Sequence, residues 1–183
     1  ISFFVAPFVR SNVGEGAYGF ISMANNFVQY AHILTIALNS MASRFITVKI
    51  YEKDEVGARR YFSSVLIADG VMAVALAIIG SIVVLNIEHI VNVPENLVTD
   101  VKLLFAFIFG NFILTIISSI FGSATYIRNK LYLTSIVTII TNILRGALVF
   151  LLFSILPAHV FYMGITAMAA TVVTLITNIQ FTK

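Results

Sequence analysis

The chain has 183 residues, of which 60% are hydrophobic and 10% are charged, and its mean hydropathy is +1.01. An ordinary soluble domain is about 45–50% apolar and about 25% charged. The composition excludes a soluble enzyme domain, whose surface needs more polar residues, and a disordered chain, which needs low hydrophobicity and high charge. Since one membrane span takes about 20 apolar residues, the sequence predicts a polytopic membrane protein.

The formal net charge is +3 and the sequence contains no cysteine. In a membrane protein an excess of lysine and arginine over acidic residues usually indicates cytoplasmic loops, so we expect no nucleic-acid partner. The sequence lacks the common catalytic and phosphate-loop motifs, and its three histidines are far apart on different segments. We therefore expect no enzymatic activity, no cofactor and no metal site.

Hydropathy divides the chain into transmembrane helices separated by short polar loops, so the predicted fold class is an all-α membrane protein. The apolar runs are too long for barrel strands and lack their strict alternation. The chain opens without Met and closes directly after an apolar run, so we expect a fragment cut at both ends. The predicted spans are residues 1–9 (partial), 17–48, 61–87, 101–127, 131–156 and 160–181, with polar loops at 10–16 and 49–60.

Lysine and arginine are distributed unevenly between the two sides of the predicted bundle, and such a bias sets orientation. Only Arg10 and Lys102 lie on one side, which is therefore predicted to be extracytoplasmic. The other side, with the N-terminus, is predicted to be cytoplasmic, and its charged turn 52–60 is predicted to be solvated or in contact with anionic lipid. The basic residues on this side are Arg44, Lys49, Lys53, Arg59, Arg60, Arg128, Lys130 and Lys183.

Polar side chains form a stripe along the second predicted span, within an arc of about 100° at 3.6 residues per turn. The stripe is either one wall of an aqueous cavity or a dry network of helix contacts. We favour the cavity, because interhelical polar contacts typically contribute only about 0.6 kcal/mol each. His32 could bind a sugar hydroxyl or a proton, or be a hydrogen-bonded structural residue. The stripe comprises Ser22, Asn25, Gln29, His32, Asn39, Ser40 and Ser43.

Arg145 lies deep in the fifth predicted span, on one face with Thr134, Thr138, Thr141 and Asn142. It is about 21 Å from the predicted cytoplasmic start at 1.5 Å per residue. A guanidinium there is costly unless it is solvated or paired. In a wet cavity it would suit a phosphate or carboxylate ligand. The alternatives are a structural ion pair, a carbonyl contact, or an outward-extended side chain.

Two further sets of polar residues lie within predicted spans. Asp69 could take up a proton or a cation, or it could cap or pair with a base such as Arg44. In the fourth span, small and weakly polar residues recur on one face, which predicts a close helix crossing, with a second cavity wall as the alternative. These are Asn111, Thr115, Ser118 and Gly122.

Four stretches, residues 13–46, RRYFSSVLIADG (59–70), 141–165 and TNIQ (177–180), resemble the bacterial oligosaccharide flippases. These belong to the multidrug/oligosaccharidyl-lipid/polysaccharide exporter superfamily. The resemblance implies that the chain is a six-helix N-terminal lobe, residues 1–183, whose partners are membrane lipids and a C-terminal lobe of the same polypeptide. It also implies a multi-pass protein of the bacterial cytoplasmic (inner) membrane. Its substrate would be undecaprenyl-pyrophosphate-linked oligosaccharide, moved to the outer leaflet for capsule, O-antigen or exopolysaccharide.

In this family, basic residues of a central cavity attract pyrophosphate and sugars, and Arg145 and Arg44 are the positions that fit that role. Asp69 is the one candidate here for coupling to protons or cations. The alternative function is a cation-coupled multidrug or small-molecule exporter of the same superfamily, and a third class is a membrane scaffold or intramembrane enzyme. The predicted cavity residues are Asn25, Gln29, His32, Asn39, Arg44, Asn142 and Arg145.

Overall fold

The computed structural model describes residues 2–127 and 131–182, apart from the side chains of 2–4, 34, 37–39, 42–43, 120–127, 131, 134 and 181–182. Every element in these two ranges is helical, which confirms an all-α fold. The helices are α1 (Ser2–Val13), α2 (Glu15–Tyr51), α3 (Glu55–Leu85), the single-turn α4 (Ile87–Ile90), a short 3₁₀ helix (Glu95–Leu97), α5 (Val98–Ile127), α6 (Leu131–Ile155) and α7 (Tyr162–Thr182).

Four of the described segments are long and apolar enough to cross a membrane: Glu55–Leu85, Glu95–Ser119, Ser135–Ile155 and Tyr162–Gln180. Helix α2 has 37 residues, so it is about 55 Å long and exceeds the hydrocarbon thickness of about 30 Å. The chain is an all-α membrane protein. We call the end of the bundle that carries the α2–α3 turn the basic end, and the end that carries Gly14 the Gly14 end.

The polar loop expected at 10–16 is nearly all helix. Helix α1 continues past Pro7 to Val13, and Gly14 separates it from α2 with φ of 85°. A single residue suffices because glycine accepts this left-handed conformation, while its amide still donates to the carbonyl oxygen of Arg10 at 3.0 Å.

The loop expected at 49–60 is a three-residue turn. Lys53 adopts φ of 58°, and the amides of Lys53 and Asp54 donate to the carbonyl oxygens of Ile50 and Lys49. This is the Schellman pattern of a helix end. The Asp54 carboxylate then accepts from the Gly57 amide at 2.9 Å and caps α3. Local capping therefore extends both helices into the charged stretch, which hydropathy alone had assigned to a loop.

The hydrophobic core lies toward the Gly14 end, where α1, α2, α5, α6 and α7 meet. Its most buried members include Val9, Leu104, Phe105 and Val149. Phe8 of α1 contacts the Phe150 ring of α6 with centroids 4.5 Å apart. This end of the lobe is therefore closed by close apolar packing.

Helices α5 and α7 pack closely along their length. A Cβ atom on Gly164 would lie 2.6 Å from the Cβ of Phe107, so the crossing requires glycine. Further along, the Asn178 amide donates to the Ser118 hydroxyl at 3.1 Å, and both side chains are buried. Ser118 belongs to the small-residue face predicted for the fourth span, so the predicted close crossing is found at this position.

Candidate functional site

A cavity of about 200 Å³ lies between α1, α2 and α6, with Met163 of α7 at its edge. Its polar lining brings together side chains from two helices that are more than 100 residues apart in sequence. Arg145 is the only charged residue among those that line it, so the cavity is cationic. The lining is Val5, Ala6, Tyr18, Ile21, Ser22, Asn25, Asn142, Arg145, Gly146, Val149 and Met163.

Arg145 is partly buried in this cavity. It is ten residues from Ile155, where α6 ends, which places its Cα about 15 Å from the Gly14 end of the helix and near the middle of a membrane about 30 Å thick. Among the side chains that the structure describes, none forms an ion pair or hydrogen bond with its guanidinium. The cavity therefore presents a positive charge and free donors at mid-membrane depth.

Two amides accompany the guanidinium. Asn142 lies one turn before Arg145 on α6, and its side chain is exposed where the lobe opens. Asn25 faces the cavity from α2 and donates its side-chain amide to the Ile21 carbonyl oxygen at 2.8 Å. This arrangement can bind a phosphate or carboxylate through the guanidinium, and hydroxyl groups through the amides.

Gln29 and His32 follow Asn25 along α2 but do not line this cavity. Both side chains are exposed, and the His32 ring contacts Phe112 of α5 with centroids 5.9 Å apart. The polar stripe of α2 is therefore open to the surroundings of the lobe over these turns and is not covered by neighbouring helices. One part of the stripe lines the cavity, and the next part borders α5.

The remaining predicted residues lie elsewhere. Arg44 is exposed near the basic end, about 28 Å from Asn25 along α2, so it cannot line the same cavity. Asp69 is buried, with 1% of its surface exposed, on the packed face of α3 and outside the lining of the cavity. The side chain of Asn39 lies outside the described residues.

The sequence interpretation missed Tyr18 as a lining residue. Tyr18 lines the cavity and also a second, open depression on its Gly14 side that contains Arg10 and Glu15. Those two residues form an ion pair. The signal for Tyr18 was available, since it precedes Ser22 by four residues and Asn25 by seven, on the same helix face.

Comparison with known proteins finds a bacterial relative that matches along the whole chain. The chain is 29% identical over 185 residues to the uncharacterized membrane protein EpsK of Bacillus subtilis (strain 168). The match covers 100% of this chain and 36% of EpsK, so the chain spans about a third of that relative's length. No family model matches, and no solved structure matches. The chain is thus similar to a bacterial membrane protein along its whole length.

Proposed function

We propose that this chain is the N-terminal lobe of a transporter that moves diphosphate-linked oligosaccharide lipids across the bacterial cytoplasmic membrane. The observation that carries the proposal is Arg145 in a cationic cavity at mid-membrane depth, without an ionic partner among the described side chains. Burying a guanidinium in a bilayer costs free energy, so a contribution to stability does not explain why an arginine occupies this position. An anionic group that visits the cavity during a transport cycle would offset that cost.

The cavity suits a diphosphate headgroup better than a free metabolite. Arginine binds phosphate oxygens through two parallel donors, and the neighbouring amides of Asn25 and Asn142 can bind sugar hydroxyls. The exposed polar residues beside the cavity leave it accessible from one face of the lobe. A headgroup could therefore occupy the cavity while its lipid tail stays in the bilayer.

Two lobes would enclose such a cavity, and rocking one lobe against the other would alternate its access. The share of EpsK that this chain covers, 36%, leaves room in that relative for a second lobe of equal size. The direction we propose is toward the outer leaflet, and the positive-inside bias supports an orientation with the basic end in the cytoplasm.

The test uses the full-length protein in cells that lack their own copy. We expect Arg145→Ala to abolish surface polysaccharide and to leave the lipid-linked oligosaccharide in the cytoplasmic leaflet, while Arg145→Lys keeps part of the export because it keeps the charge. Arg10→Ala removes the same charge outside the cavity and should export normally. Normal export by Arg145→Ala, at an unchanged membrane level, would contradict the proposal.

The second candidate is a cation-coupled exporter of small molecules, favoured by the complete burial of Asp69 in α3. An acid in such a position can carry a proton or a cation through a transport cycle. Asp69 lies outside the cavity lining, which is why we place this function second. Loss of transport in Asp69→Asn but not in Arg145→Ala would favour it.

A further inference from the structure

A second cationic surface, independent of the cavity, lies on α3 at the basic end. An open groove there has a volume of about 700 Å³, and we call it the α3 groove. Its lining residues all come from the first four turns of α3, and none of them lines the Arg145 cavity. They are Glu55, Val56, Arg59, Arg60, Ser63, Ser64 and Ile67.

The α3 groove carries positive charge that is not taken up by close ion pairs. Arg59 and Arg60 are exposed, and neither forms an ion pair with any side chain in the described part of the chain. By contrast, Lys49 in the last turn of α2 forms two ion pairs, with its ammonium 2.8 Å from Glu52 and 3.3 Å from Asp54. The groove has two guanidinium groups against the single carboxylate of Glu55, and the nearby Asp54 carboxylate, which interacts electrostatically with Arg60, is also bonded to Lys49 and the Gly57 amide. The groove therefore keeps a net positive charge that attracts anions.

Along the helix axis the α3 groove is first charged, then polar, then apolar, which is also the order of headgroup, glycerol region and acyl chain in a phospholipid. The two guanidinium groups are followed one turn deeper by the hydroxyls of Ser63 and Ser64, and then by Ile67. The distance from Arg59 to Ile67 along the axis is about 12 Å. Beyond this point the same face is apolar and exposed, through Val71, Val74 and Ile78. A free phosphate ion has no apolar group that could pack against this exposed apolar surface.

This face of α3 points away from the rest of the lobe. The buried residues of α3, Ala58, Asp69, Ala73 and Gly80, lie on the other side of the helix, about 130° around its axis from the groove residues. The start of α3 is held in place by the Asp54 cap, and the Tyr61 ring stacks on Phe45 of α2 at 5.5 Å. The groove is therefore a fixed surface on the exposed side of α3.

We propose that the α3 groove binds an anionic glycerophospholipid of the cytoplasmic leaflet, with the phosphate at Arg59 and Arg60 and an acyl chain along Ile67, Val71 and Val74. Charge complementarity favours an anionic headgroup over a zwitterionic one, and the apolar continuation favours a lipid over a soluble anion. The inference does not depend on the transport proposal, because the groove and the cavity share no residue.

The experiment measures lipid contact at one position. Ile67→Cys is introduced into full-length protein without other cysteines, labelled with a fluorophore and reconstituted in phosphatidylcholine. Nitroxide-labelled phosphatidylglycerol, phosphatidylethanolamine and phosphatidylcholine are then titrated as quenchers. We expect phosphatidylglycerol to be preferred, and Arg59→Gln and Arg60→Gln each to lower that preference about fivefold, the effect of one basic residue near a membrane surface.

The matched controls are the single variants Arg10→Gln and Lys102→Gln, each of which loses one positive charge at the Gly14 end and should keep the preference. The proposal is overturned by equal quenching from all three lipids, or by an equal loss in the controls. Displacement of phosphatidylglycerol by millimolar inorganic phosphate would instead indicate a small-anion site. Stronger displacement by an isoprenyl diphosphate would indicate the transported lipid, and either result also contradicts the proposal. Failure here leaves the Arg145 export test unaffected.

Discussion

Replacing Asn142 with Asp tests whether the free charge of Arg145 is what the cavity offers a ligand. Asn142 and Arg145 lie three residues apart on α6 and line the same cavity. Side chains at this spacing have Cβ atoms about 6 Å apart, and we take this value as the separation of the two charges. The substitution preserves side-chain size. It changes the net charge of the lining from positive to neutral without removing Arg145.

The expected size of the effect follows from the Coulomb energy. Two unit charges about 6 Å apart interact by about 3 kcal/mol at an effective dielectric constant of about 20. A diphosphate ligand must compete with the attraction between the new carboxylate and the Arg145 guanidinium. An energy of this size corresponds to about a hundredfold weaker binding. Asn142→Leu removes the amide but adds no charge, so it should cost about one neutral hydrogen bond, or less than tenfold.

The assay is equilibrium binding of a non-hydrolysable isoprenyl diphosphate to purified full-length protein in lipid nanodiscs. Thermal unfolding of both variants controls for folding. Binding of the Asp variant within threefold of the unmodified protein would refute the reasoning, because the guanidinium would then not be the anion site. An equal loss in both variants would refute it as well, since it would show that the amide matters and the charge does not.

Three other predictions concern the lobe itself. Gly164→Ala should destabilise the α5–α7 crossing by about 1–3 kcal/mol, because the added Cβ overlaps Phe107, and the unfolding temperature of the reconstituted protein measures this. The Gly57 amide lowers the pKa of Asp54 by donating to its carboxylate, so the cap should stabilise the turn at neutral pH and lose that contribution as the pH falls below about 4. Asp54→Asn, which keeps an acceptor oxygen, should remove this pH dependence, and an unchanged acid unfolding curve would contradict it. Asn25→Cys should react with a water-soluble thiol reagent at a rate well above that of a cysteine at a buried core position, and full protection would favour a dry packing network.

The fold class, and the helix faces that carry most of the polar residues lining the cavity, could be predicted from the amino-acid pattern alone. Long apolar runs without period-2 alternation permit only membrane helices, because the bilayer leaves no other way to satisfy the backbone. Helical periodicity then placed Asn25 on one face of α2, and Asn142 with Arg145 on one face of α6. It could not give the ends of α2 and α3, since the turn between them depends on the capping bonds of Asp54 and the conformation of Lys53.

Which polar residues of different helices lie together could not be predicted without the packing of the helices. Periodicity reports the direction of a side chain around one helix axis, but not the neighbouring helix or the depth at which two helices cross. Arg145 meets Asn25 and Tyr18 because α1, α2 and α6 come together at that level, while Arg44 stays about 28 Å away on the same helix as Asn25. The α3 groove was likewise visible in sequence only as a charged stretch, and the extension of α3 to Glu55 turned that stretch into a single surface.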